Sequence, residues 1–88
     1  MQADDSTLEF PCQIEIKAMG RPEDGFRELV VALVAEHHAD MASARVSENP
    51  SSGGKYVSIT VRIEAHSRAQ LDAIYQSLTD EPRVLVAL

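Results

Sequence analysis

An alternation of apolar and polar residues over residues 55–66 constrains the fold more than any other stretch of the chain. Successive side chains of a β-strand point to opposite faces of its sheet, so this pattern predicts a strand with one buried face and one face in water. The rest of the chain therefore has a single sheet face to cover. The apolar set is Val57, Ile59, Val61, Ile63 and Ala65.

Three further strands are predicted from the same kind of pattern. Alternation over residues 11–19 indicates a second half-buried strand, and residues 42–47 indicate a weaker strand of small residues typical of a sheet edge. Residues 83–88 form the last predicted strand. We expect one face of that strand to carry Val84, Val86 and Leu88.

Two helices are predicted between these strands. Apolar residues at helical spacing indicate a first helix that ends near His38. Ser67 and Gln70 have the spacing of a capping box, in which the glutamine side chain reaches back to the Ser67 amide. This box predicts the start of a second helix, which ends before Pro82. The apolar stripe of the first helix is Phe26, Leu29, Val30, Leu33, Val34 and His37.

The order strand, helix, strand, strand, helix, strand predicts an α+β fold. It matches the ferredoxin-like split βαββαβ unit, a four-stranded antiparallel sheet of order 4-1-3-2 with two helices on one face. We expect residues 9–88 to form this single domain. Residues 1–8 carry two aspartates and little to bury, so we expect them to be a disordered tail.

Composition excludes several classes of function. The net charge of −6 argues against binding nucleic acid or an anionic membrane surface, since both depend on concentrated lysine and arginine. Cys12 is the single cysteine, so the chain forms no internal disulfide and suits a reducing compartment. No run approaches the roughly 18 apolar residues of a membrane span. We expect a cytoplasmic protein.

A set of residues at the element boundaries resembles a known family. Phe10 and Pro11 open the first strand, and Met19 and Gly20 close it. The other members are His37, Pro50, Ser51, Ser52, Gly54, Tyr56, Ser58, Ile59, Thr60 and the C-terminal run 84–88. Together, over residues 9–88, they resemble the YbeD-like family of small uncharacterised bacterial proteins.

The resemblance implies a fold similar to the ACT regulatory domain, a ferredoxin-like module that dimerises and senses amino acids for metabolic enzymes. It therefore implies a regulatory, ligand-sensing or protein-binding role, a homodimer and a loose link to lipoate metabolism. It implies no established activity. The acidic segment 22–24 departs from the family pattern.

The first candidate site is the loop 20–25, where ACT-like domains place a small effector between subunits. Glycines let a backbone approach a ligand, and the N-terminus of the next helix offers free amides. Arg21 is the only local group that can hold a carboxylate, whereas Glu23 and Asp24 repel an anion. The alternative is a plain turn between strand and helix. The candidate ligand-binding residues are Met19, Gly20, Arg21, Gly25 and Asn49.

An enzymatic alternative uses a longer loop, residues 20–27. Its Gly20, Arg21, Gly25 and Arg27 are similar to the phosphate loop of acylphosphatases, which share the ferredoxin-like fold. The match is one residue short and too acidic, and Asn49 is poorly placed to orient a water. We therefore expect no enzyme and no cofactor.

The sequence argues against two other kinds of site, a metal site and a base-stacking surface. His37, His38 and His66 could meet near Cys12 or Asp40, but adjacent histidines on a helix point in different directions, so we expect no metal. The polar face of the sheet lacks the aromatic residues on which RNA-recognition modules stack bases. That face is a solvated surface or a docking surface, and the sequence leaves open whether the module binds a small metabolite or a partner protein.

Overall fold

The computed structural model describes residues 9–88, and the predicted disordered tail lies outside the described residues. Two short 3₁₀ turns, Met41–Ser43 and Ser52–Gly54, precede the second and third strands. In chain order the main elements are β1 (Cys12–Gly20), α1 (Phe26–Ala35), β2 (Arg45–Pro50), β3 (Val57–Ala65), α2 (Arg68–Asp80) and β4 (Val86–Ala87).

The strands form one antiparallel sheet of order β2-β3-β1-β4, which confirms the predicted ferredoxin-like arrangement. The centre is the long pairing of β1 with β3, which runs from Cys12 opposite Ala65 to Gly20 opposite Val57. Both helices cover the same sheet face, because that face holds the buried residues of the strands. The core is Ile16, Ala18, Phe26, Val30, Val34, Val57, Ile59, Val61, Ile63, Ala65, Leu71, Ile74, Leu78 and Val84.

α1 ends at Ala35, three residues before the predicted end. The amides of His37 and His38 donate to the carbonyls of Val34 and Ala35, so the chain tightens into a 3₁₀-like turn. His37 therefore lies beyond the last residue of α1, where it stays half-buried.

The first residues of the predicted second strand form a helical turn instead. The Ser43 hydroxyl donates to the Asp40 carboxylate (2.9 Å), and this contact holds residues 41–43 in the turn. β2 starts at Arg45 and continues through Asn49 to Pro50. Proline is tolerated there because β2 is an edge strand, where a missing amide hydrogen costs no ladder bond.

The prediction that Val84, Val86 and Leu88 share one face is wrong. Val84 is buried, whereas Val86 and Leu88 are exposed. The cause is a β-bulge: Val86 pairs with Met19 in the register, and the Leu85 amide also donates to the Met19 carbonyl (2.8 Å). Leu85, just before β4, and Val86, its first residue, thus both oppose Met19 of β1, which reverses the alternation relative to Val84.

Candidate functional site on the open face of the sheet

The sheet face that points away from both helices carries the candidate site, and we call it the open face. Its side chains stand in rows across the strands, as the register dictates. One row is Asn49, Ser58, Met19 and Val86; the next is Ser47, Thr60 and Lys17; the third is Arg45, Arg62 and Glu15. The face thus has an apolar end and a charged end.

The apolar end is a hollow of about 300 Å³ lined by Met19, Tyr56, Leu85 and Val86. Leu85 and Val86 are 49% and 44% exposed, and Tyr56 is 40% exposed. Single exposed apolar residues are ordinary, but a contiguous group rimmed by polar residues is typical of a site that contacts another molecule.

Local backbone structure builds the apolar end. The bulge turns both Leu85 and Val86 outward beside Met19. Tyr56 is held by Ser51, whose hydroxyl accepts from the Tyr56 amide (3.0 Å) and whose own amide donates to the Tyr56 carbonyl (2.8 Å). Gly53 takes a φ of 85° within this hairpin tip, a conformation that a side chain would strain.

The charged end lies two rows away, around the directly opposed pair Arg45 and Arg62. Arg62 also pairs with Glu15 of β1, and their side chains form an ion pair. Two neighbouring hollows, of about 230 and 460 Å³, share both arginines. Apart from the ion-pair partners, their lining includes Gln13, Ser43, Val46, Ser47 and Thr60.

The structure separates the five candidate residues proposed from the sequence. Met19 and Asn49 lie in the same row of the open face. Gly20 is buried. A Cβ at this position would lie 2.5 Å from the Phe26 ring and 2.6 Å from the Arg83 carbonyl. Arg21 and Gly25 are exposed in the loop that follows β1. Gly20 is thus required for packing, and the set does not surround one cavity.

The loop after β1 is acidic and is anchored to the C-terminal segment. Its hollow of about 270 Å³ includes Glu23, Asp24, Glu28 and Glu48 in its lining. Arg83 contacts the Glu23 carboxylate (3.3 Å) and donates to the Asp24 carbonyl (3.1 Å). The four carboxylates outnumber Arg27, the arginine of the same lining, so this hollow suits a carboxylate-bearing effector poorly.

The loop also lacks the asparagine that the enzymatic alternative requires. Residues alternate along β2, so Glu48 lies on the helix side, where it contacts Arg27 (3.7 Å), while Asn49 lies in a row of the open face. Asn49 does not line the loop hollow. The geometry therefore keeps this side chain away from Arg21 and Gly25.

The histidines at the other end of the sheet take part in a network centred on Gln70. Its side-chain amide donates to the His37 carbonyl (2.9 Å) and lies 3.2 Å from His38 Nδ1, and its Oε1 accepts from the His66 amide (2.7 Å). His37 Nε2 contacts Ser77 Oγ at 2.8 Å. Within residues 9–88, no group of three metal-ligating side chains converges.

The capping box at the start of α2 explains part of this network. Ser67 Oγ accepts from the Gln70 amide (3.1 Å), as the spacing predicts. The Gln70 side chain reaches the His66 amide rather than the Ser67 amide, so that part of the prediction is wrong. The sequence carried no signal that Gln70 would also join the start of α2 to the segment after α1, because His37 and His38 lie more than 30 positions away from it.

No helix in residues 9–88 combines the length and the apolar character that crossing a membrane requires. Comparison with solved structures finds the solution structure of protein HP0495 from H. pylori, with a TM-score of 0.74 and 19% identity. The match covers 100% of this chain and 94% of that chain. At this identity the match bears on the fold alone.

Sequence comparisons reach closer relatives. A UPF0250 protein of Paraburkholderia phytofirmans is 44% identical over 96% of this chain and 94% of its own length. Another, from Nitrosomonas europaea, is 38% identical over 97% of this chain and 98% of its own length. A family model described as "Protein of unknown function (DUF493)" matches residues 5–88.

Proposed function

The chain belongs to this family of unknown function, as its resemblance to YbeD-like proteins indicated, and we propose that it is a non-enzymatic regulatory module that binds a partner protein. The observation that carries the proposal is the apolar end, where Met19, Tyr56, Leu85 and Val86 line one exposed hollow. We place the module in the cytoplasm, where its single cysteine is stable as a thiol.

The surroundings of the apolar end support a protein partner. Stable interfaces combine a well-packed apolar centre with a polar rim. Here the rim is Asn49, Ser58 and Lys17, which lie in the same row or the next one. An open hollow of about 300 Å³ is at the lower limit for a small-molecule pocket, which normally encloses most of its ligand. A side chain of a larger partner fits such a hollow better.

A comparative pull-down tests the proposal. Tagged wild-type chain and the Leu85→Asp variant are incubated with lysate of the source bacterium, and bound proteins are identified by mass spectrometry. Ala32→Asp, at an exposed position of α1, is the matched control. We expect one set of proteins to bind the wild type and the control and to be lost with Leu85→Asp. Equal capture by all three chains would place the binding surface elsewhere.

Two parallel measurements test whether a metabolite or a second copy of the chain occupies the apolar end instead. A thermal-shift panel of amino acids, lipoate and nucleotides tests a metabolite in the hollow, since a ligand at about 100 times its Kd stabilises the folded chain by about 2.7 kcal/mol. Sedimentation at micromolar concentration tests the homodimer implied by the ACT-like fold. A dimer that Leu85→Asp dissociates would make a second copy of the chain the occupant.

The non-enzymatic part of the proposal has its own test. The loop 20–27 carries the enzymatic alternative, hydrolysis of an acyl phosphate. Purified chain is incubated with an acyl phosphate, and release of phosphate is followed. Hydrolysis by the wild type that disappears in Arg21→Ala would overturn the proposal.

A further inference from the structure

We propose that Arg45 and Arg62 form a second binding site, which takes the oxyanion of a small molecule such as a phosphate ester or a dicarboxylate. The register places the two residues directly opposite each other on β2 and β3. Like charges at directly opposite positions of an antiparallel pair destabilise a sheet. An anion between the two guanidinium groups would reverse the sign of that interaction.

Nearby carboxylates do not fully neutralise the positive charges of Arg45 and Arg62. Glu15 forms an ion pair with Arg62, whereas Arg45 has no ion pair or side-chain hydrogen bond within residues 9–88. Glu64, two residues beyond Arg62, is the other acid of the strands on this face, Asp40 accepts from Ser43 at the border of the larger hollow, and Lys17 in the next row adds a positive charge. Among the strand residues of this end, three cations therefore face two carboxylates, in a chain whose net charge is −6.

Besides Glu15, the polar groups around the arginines include neutral hydrogen-bond donors. Ser47 and Thr60, which pair across the strands, line the smaller hollow, and the Gln13 amide lines the larger one. A guanidinium group donates two parallel hydrogen bonds to a carboxylate or phosphate. Two such groups with neutral donors beside them match the several acceptor oxygens of a single oxyanion.

Charge also limits the size of the ligand. A polyanion such as nucleic acid interacts with the charges of the whole chain, and the net charge of −6 repels it. A small anion interacts mainly with the nearest charges, because charges beyond about 8 to 10 Å are screened at physiological salt. The local excess of positive charge therefore favours a small molecule.

The site goes beyond the proposed docking of a partner protein and does not depend on it. It lies on β2 and β3, whereas the apolar end is formed by Met19, Tyr56 and the segment around Val86. The row of Arg45 and Arg62 crosses β3 four positions away from the row of Met19 and Val86, which corresponds to about 13 Å. Variants at one end can thus be tested without changing the other.

An NMR titration tests this site on the whole chain. Inorganic pyrophosphate and succinate are added separately at constant ionic strength to ¹⁵N-labelled protein. We expect saturable shifts of the Arg45 and Arg62 side-chain Nε–H signals and of the Ser47 and Thr60 amides. Arg45→Gln should weaken binding by about tenfold, because it removes a charged donor. Arg27→Gln, at an exposed arginine beside Glu48, is the control and should bind like the wild type.

Three outcomes would overturn the inference. The first is a set of shifts that does not saturate, and the second is equal affinity of the wild type and Arg45→Gln. The third is tighter binding of a short glutamate-rich peptide than of either small anion, which would assign the arginines to a protein segment. Thermal unfolding without ligand checks folding: Arg45→Gln should be at least as stable as the wild type, since it removes the repulsion between the arginines.

Discussion

Val84 and Val86 face opposite sides of the sheet although only one residue separates them. Val84 is 9% exposed and packs into the core, whereas Val86 is 44% exposed beside Met19. The bulge at Leu85 and Val86 causes this reversal. Without it, Val86 would point toward the core and the apolar end of the open face would lose part of its lining.

The two valines should respond differently to the same substitution. Val84→Ala removes two buried methyl groups, so we expect the free energy of unfolding to fall by about 2 kcal/mol. Val86→Ala removes exposed groups and should change it by less than about 0.5 kcal/mol. Urea unfolding of both variants measures the difference. Equal losses would mean that the strand alternates regularly and has no bulge.

Gly20 should prove to be a packing residue rather than a ligand contact. Gly20→Ala places a methyl group against the Phe26 ring and the Arg83 carbonyl, so we expect a loss of about 1 to 3 kcal/mol in unfolding free energy. In a Phe26→Leu background the same change should cost at least about 0.5 kcal/mol less, since contacting residues couple. Additive effects in this double-mutant cycle would contradict the assigned contact.

Gln70 should stabilise the chain far more than the other glutamine of α2. Gln70→Ala leaves the His37 carbonyl and the His66 amide without their partner, and we expect a loss of about 1 to 3 kcal/mol. Gln76→Ala removes only an exposed contact with Asp80 and should cost less than about 0.5 kcal/mol. Chemical unfolding of the pair gives the comparison, and similar costs would show that the Gln70 network contributes little.

Tyr75 should make the chain less stable at alkaline pH. Burial raises the pKa of the Tyr75 hydroxyl above its ordinary value of 10.0. Above that value the unfolded chain releases the proton while the folded chain retains it, so the contribution of Tyr75 is full below pH 10.0 and is lost as the pH rises toward the folded-state pKa.

The pH dependence is measured as unfolding free energy between neutral and strongly alkaline pH. The fall above pH 10.0 should be shallower in Tyr75→Phe than in the wild type. At neutral pH the variant should lose about 1 kcal/mol, because its ring cannot donate to the Leu88 carbonyl. Identical slopes in the two chains would show that Tyr75 is not desolvated.

Most of the fold was predictable because it follows from local patterns. Alternation on β1 and β3 determines which residues are buried, and the helical stripes need one sheet face to cover. The predicted order of strands is confirmed. The start of β2 was missed because the contact between Ser43 and Asp40 competes with the extended conformation, an effect that alternation alone does not reveal.

The candidate site was less predictable for a physical reason. Met19 and Asn49 share a row of the open face, whereas the sequence grouped them with Gly20, Arg21 and Gly25 as one ligand-binding set, because the grouping was inferred from chain order alone. The apolar end depends on a bulge, which inserts one residue into a strand without any glycine or proline to mark it. The pairing of Arg45 with Arg62 depends on register, which the misplaced start of β2 concealed.

The most direct test of the central claim is site-specific photocrosslinking in the source bacterium. Benzoylphenylalanine is placed at Leu85, in the apolar end, and separately at Ala32, on the exposed side of α1. If the open face binds a partner protein, ultraviolet light should produce a discrete crosslinked species from the Leu85 position and none from Ala32. Crosslinks from Ala32 alone, or from neither position, would contradict the claim.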